Sequence, residues 1–158
     1  MDGELQAARF FGQASMLAMA GWLVLLVSIA LHWRKGRDLV AGIVIPSLLS
    51  LGYVAIIATD WSSAKGGFSS LSEVSTLFQS PWMLLAGWVH YLAFDLFIGA
   101  WIARDADEHG VSRWVVIPVM PVTLFFGPMG LVAWLIIRLA HAPLILSPNR
   151  SFARENRQ

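Results

Sequence analysis

Four long apolar runs, parted by short polar stretches, organise this chain. The first extends from Phe11 to Trp33 without Asp, Glu, Lys or Arg, and Arg34, Lys35 and Arg37 close it. The second covers Leu39–Thr59, with Pro46 and Gly52 inside it; the third, Pro81–Ala103, opens on a proline suited to a first helical turn. The fourth, Trp114–Ala140, contains Pro118, Pro121 and Pro128, which predict kinks. Each run reaches the roughly 20 residues needed to cross a bilayer. The pattern therefore predicts an all-α membrane protein, a four-transmembrane-helix bundle forming a single transmembrane domain over 1–158. Trp33, Trp61, Trp82, Trp101 and Trp114 fall at the proposed ends, where amphipathic rings favour the headgroup level. Trp22, Trp88 and Trp134 lie deeper and are expected to face lipid or a pocket.

The long link between the second and third runs, 60–80, carries its own signal. Gly66-Gly67 marks a turn and Ser70-Leu71-Ser72-Glu73 fits a capping box. Phe68, Leu71, Val74 and Phe78 recur near helical spacing. These predict a short amphipathic helix on the membrane surface or against the bundle. In the first run, Ala14, Ala18 and Gly21 form a small-residue stripe that permits close helix approach.

Composition agrees: 57% of the 158 residues are hydrophobic and 13% are charged. The net charge of +1 says little, and the lack of a basic stripe argues against nucleic acid as a partner. With no cysteine, disulfides and thiolate chemistry are excluded. Asp2 and Glu4 precede Arg9 and the apolar run continues through Leu31, so the first segment reads as a retained helix rather than a cleaved signal. Arg34, Lys35 and Arg37 favour a cytoplasmic first loop and termini outside, whereas Arg150, Arg154 and Arg157 argue the other way.

Candidate chemistry concentrates in Gly87-Trp88-Val89-His90-Tyr91-Leu92-Ala93-Phe94-Asp95-Leu96-Phe97 of the third run. An acid at the centre of a membrane helix costs roughly 2.5–3.5 kcal/mol on insertion scales, so Asp95 is a functional candidate; the alternative is a hydrogen bond that fixes helix packing. His90 is the second candidate. At about 1.5 Å rise per residue, Ser47 and Thr123 share the depth of Asp95, and Ser50 that of His90. Five residues turn a helix by about 500°, so His90 and Asp95 point roughly 140° apart and face different neighbours or flank a bound molecule. Asp105, Asp107, Glu108 and His109 match no metal-ligand spacing and read as a solvated helix end. Arg138, at the far end of the fourth run, is a poor partner for Asp95. Gly127-Pro128-Met129-Gly130 breaks the fourth run, and the break is expected to open a cavity near Trp134.

These residues resemble the abscisic-acid-deficient-4-like membrane family, whose plant members are linked to neoxanthin synthesis from violaxanthin. The matching stretches are Gln13 with Gly21-Trp22, the run from Gly66 to Leu71, Trp88 to Phe97, Arg104-Asp105, and Phe126 to Leu131. Tyr91 and Phe94 depart from the plant pattern, and Trp134 stands in place of a polar residue. Without a transit peptide the chain looks like a bacterial relative in the plasma membrane. The resemblance carries no settled catalytic residues. It implies a redox-neutral carotenoid rearrangement or isomerisation without a cofactor, or support of one, with Asp95 and His90 as the acid–base pair. Trp88, Tyr91, Phe94 and Trp134 would stack on a polyene drawn from membrane lipid, with Ser47, Ser50 and Thr123 as polar contacts. Two alternatives stay open: a non-catalytic carotenoid or lipid binder or assembly protein, and a small proton or ion pathway. Self-association into a homo-oligomer is left open.

Overall fold

A computed structural model describes residues 2–145, with side chains from Gly3 to His141. Arg150, Arg154 and Arg157 lie outside the described residues. Four helical segments are long and apolar enough to cross a membrane: Gly3–Leu31, Gly36–Ser63, Pro81–Glu108 and Val119–His141. The protein is thus a multi-pass, all-α membrane protein, as the apolar pattern predicts. Its outward surface is apolar, with Leu23, Leu51, Phe125, Ile136 and Leu139 all exposed.

Helix α1 (Asp2–Leu31) ends on His32, whose φ of 55° lies in the left-handed region. The turn closes with the Trp33 N–H donating to Ser28 O at 2.9 Å, the bond that satisfies a terminal carbonyl when a helix stops this way. The next segment, Gly36–Val44, is π-helical and continues into α2 (Ile45–Asp60). Pro46 explains the change of pitch. It has no N–H to return to Gly42, and the Ile45 N–H instead reaches Val40 O, five residues back.

Helix α4 (Pro81–Glu108) is the central element and the most buried of the four. Along it α1 runs parallel. Phe10 meets Trp82, Phe11 meets Trp88, and Trp22 lies over Gly99. The small-residue stripe works as expected: Ala18 is buried, and a Cβ on Gly21 would strike Leu96 and Ile45. α2 runs antiparallel, pairing Arg37 with Ala103 and Asp107 at one end and Tyr53 with His90 lower down. Trp22 and Trp134 face neither lipid nor a pocket; both are packed in the core. Trp88 is part-exposed and donates its ring N–H to Ser15 at 3.0 Å.

The predicted helix of the long link is α3 (Leu71–Leu77). Ser70 caps it, accepting from the Glu73 N–H at 3.2 Å, and Glu73 reaches back one residue further than expected, to the Ser69 N–H. Gly66 has φ of +92°, and its vacant Cβ position lies against the α3 backbone. Leu77 is the buried anchor, while Leu71 faces outward rather than against the bundle and Phe68, though exposed, stacks on Trp61.

After α4 the short α5 (Arg113–Val116) leads into α6 (Val119–Ile145). α6 is interrupted at Phe126, with φ of −142° and ψ of 42°. The interruption reverses the chain. Gly130 packs directly on Thr123, seven positions earlier, which a continuous helix holds about 10 Å away along its axis. Beyond the break, α6 follows α4 in the same direction: Gly127 beside Asp95, Trp134 beside Asp105, Arg138 beside His109.

Candidate functional site

Asp95 is buried on the face of α4 that meets the break in α6. A broken helix leaves unpaired carbonyls before the break and unpaired N–H groups after it. α4 answers both. The Tyr91 hydroxyl donates to Leu124 O at 2.8 Å, and the Asp95 carboxylate sits on Gly127, where no side chain heavier than hydrogen fits. Negative charge at the start of the returning half-helix is also favoured by its dipole. One carboxylate oxygen, Asp95 Oδ2, is fully buried without a hydrogen-bond partner. Such an atom in a membrane interior costs stability, which makes the residue a functional candidate.

Contrary to the expectation that the break opens a cavity, it is filled at its two glycines. Gly127 gives its space to Asp95 and Gly130 to Thr123. Thr123 is buried and donates to Val119 O within its own helix at 2.9 Å. Trp134 donates to Asp105 Oδ2 at 2.9 Å.

The other predicted residues lie apart from Asp95. His90 is exposed on another face of α4, stacked on Phe94 at 4.5 Å and facing Tyr53 at 5.8 Å. It opens onto a groove of about 350 Å³ shared with Trp61, Phe68 and Phe78. Ser47, Ser50 and Phe94 line a second groove of about 280 Å³, and Trp88 a third of about 390 Å³ beside Phe11. Asp95 and His90 therefore face different neighbours, as their angular separation predicts.

The largest of these grooves among the described residues, about 610 Å³, contains none of the predicted site residues. It opens sideways between α1, α2 and α4. Phe10, Leu17, Leu49, Ile56, Trp82 and Val89 form its walls, with Gln6, Gln13, Thr59 and Asp60 as polar groups. From Gln6 to Leu17 it covers about 17 Å of helix. Gln6, Thr59 and Asp60 gather at the α3 end, and Gln13 lies further in. Thr59 donates to Asp60 at 2.6 Å, whereas neither glutamine side chain hydrogen-bonds another described residue. The sequence did carry a signal here: Gln6, Phe10, Gln13 and Leu17 repeat at helical spacing, opposite Gly52.

A second polar group escaped the reading of 105–109 as a solvated helix end. Asp105 is buried, holding Trp134 and lying 3.4 Å from Arg138 Nε, while Arg138 also contacts His109 at 3.1 Å. Buried Arg37 pairs with Asp38 and Asp107. Among the described residues no group of three His, Cys, Asp or Glu is placed to hold a metal ion.

Among known proteins, the family model ABA4-like, described as ABA DEFICIENT 4-like, matches residues 9–134. That match includes most of the groove, Asp95 and the break in α6. No curated protein matches the chain, and no solved structure does.

Proposed function

The chain belongs to the ABA DEFICIENT 4-like family, and from that membership we propose that it binds a carotenoid-like polyene and supports its redox-neutral rearrangement or isomerisation. As a family member it is a membrane protein related to neoxanthin-synthase-like proteins. The observation that carries the reading is the lateral groove. It is apolar along most of its length, interrupted by Gln13, opens sideways between the helices, and is polar where Gln6, Thr59 and Asp60 meet. A polyene dissolved in lipid reaches it without crossing water, and an oxygenated end ring finds hydrogen-bond partners there. Its volume lies within the range of small-molecule sites.

Opening an epoxide to an allenic alcohol needs a proton delivered to oxygen and one removed from carbon. In the catalytic form of the proposal Asp95, with its unpartnered Oδ2, is the proton donor, and His90 is the second candidate for proton transfer. A second reading, a non-catalytic binder, draws support from a specific observation: none of the described grooves is lined by Asp95, and the groove holding His90 is separate from the largest one.

The two readings part on Asp95→Asn, which keeps shape and an acceptor but cannot release a proton. Carotenoid profiles from cells expressing each variant, beside the yield of folded protein, decide between them. The catalytic form expects folded Asp95→Asn with bound pigment and no converted product. Normal conversion by folded Asp95→Asn ends the acid role and leaves the binder.

A further inference from the structure

We infer that the fourth apolar segment is a re-entrant hairpin, which leaves the face of the bundle carrying the α1–α2 connection, turns at mid-depth, and returns to that same face. Its contacts with α4 carry the inference. α4 rises from Tyr91 through Asp95 and Asp105 to His109, and α6 meets these in the order Leu124, Gly127, Trp134, Arg138. The two strands of contact ascend together, so the half of α6 after Phe126 is parallel to α4. Yet Arg113, just past the top of α4, bonds Ala30 O at 2.8 Å at the top of α1. The stretch from Arg113 to Phe125 must therefore descend, and at about 1.5 Å per residue it reaches the middle of a roughly 30 Å core and not the far side. Gly130 on Thr123 is the crossing point of the two limbs.

Non-helical backbone at membrane depth survives only where protein covers it. On its α4 side the tip meets that requirement, with Tyr91 on the Leu124 carbonyl and Asp95 on Gly127, while the side chains of Phe125, Phe126 and Met129 face outward. Asp95 is thus placed where the hairpin turns. The helices then cross three times, and Arg34, Lys35, Arg37, Arg104, Arg113 and Arg138 share one face against Arg9 and Lys65 on the other. Basic residues concentrate on the cytoplasmic side. This orients the first loop inside and the start of α1 outside, and puts Arg138 on the inside as well.

The chain has no cysteine, so single thiols report cleanly. Lys35→Cys, Lys65→Cys and Ala140→Cys are exposed positions for labelling with a membrane-impermeant maleimide, before and after permeabilisation. The expected result is that Ala140→Cys labels from the side of Lys35→Cys, opposite Lys65→Cys, and that intact cells expose only Lys65→Cys. Labelling of Ala140→Cys with Lys65→Cys overturns the hairpin. Where Ala140→Cys does not react from either side, the His109→Cys, Arg138→Cys pair decides. A short bis-maleimide, which adds one thiol at each end, joins them within one chain if α6 returns, and no cross-link forms if it crosses straight through.

Discussion

The two flanks of α4 hold their neighbours by different physics. Toward α1 and α2 most of the contact is apolar and close, built on Gly21, Gly99, Trp22 and Leu96 with polar pairs at Trp88–Ser15 and at Arg37, and it leaves a lateral groove. Toward α6 the recorded contacts are polar: Tyr91 to Leu124, Asp95 at Gly127, Asp105 to Trp134 and Arg138. Hydrocarbon surrounds both flanks, so apolar contact alone distinguishes folded from lipid-solvated helices only weakly. Unbroken helices satisfy their own backbone and tolerate a gap that lipid fills. A helix broken at mid-depth does not, and the flank that receives it has to bring hydrogen bonds. The polar flank is therefore read as the one that fixes the fold, and the apolar flank as the one free to bind.

Substitutions test that division most severely at the break. Gly127→Val drives a branched side chain into the Asp95 carboxylate, and the loss should lie at the upper end of the roughly 1–3 kcal/mol typical of overpacking. Asp95→Leu removes the acceptor beside the broken backbone and should cost about 1–3 kcal/mol, with Asp95→Asn much milder. Trp134→Phe leaves Asp105 one donor short and should cost about 1 kcal/mol. Thermal unfolding in detergent ranks these three sites, and wild-type stability with all of them altered would show that the polar flank does not fix the fold. The smallest global effect belongs to Ser70→Ala, which removes the α3 cap at a local cost of about 1 kcal/mol. Hydrogen exchange should quicken across Leu71–Leu77 and stay unchanged in α4; slow exchange in both would show the cap to be dispensable.

Much of this architecture was legible in the residues. Apolar runs of bilayer length specify membrane helices, and Ser70 with Glu73 specifies α3, because both are local signals. Gly127-Pro128 announced a break, but not its angle. A kink and a reversal differ only in which tertiary contacts catch the freed backbone groups, and those belong to Tyr91 and Asp95 on another helix. For the same reason depth counted along a straight helix does not bring Arg138 to His109 and Asp105: the count fails once the helix folds back. Asp105 looked solvated because its partners, Trp134 and Arg138, arrive through that reversal. The groove was hidden differently. Gln6, Gln13 and Gly52 are unremarkable singly and acquire meaning only when α1 and α2 face each other across a gap.

The central claim, that the polyene occupies the apolar flank, turns on Gly52. It lines the largest groove, and nothing lies within 4 Å of the position its Cβ would take. Gly52→Leu should therefore fill the groove without straining the bundle. The measurement is the carotenoid that copurifies per mole of folded protein, from cells that make it. The account predicts that Gly52→Leu keeps the wild-type yield and melting temperature and loses at least about tenfold in bound pigment, the equivalent of about 1.4 kcal/mol. Wild-type pigment content in a well-folded Gly52→Leu protein would contradict it.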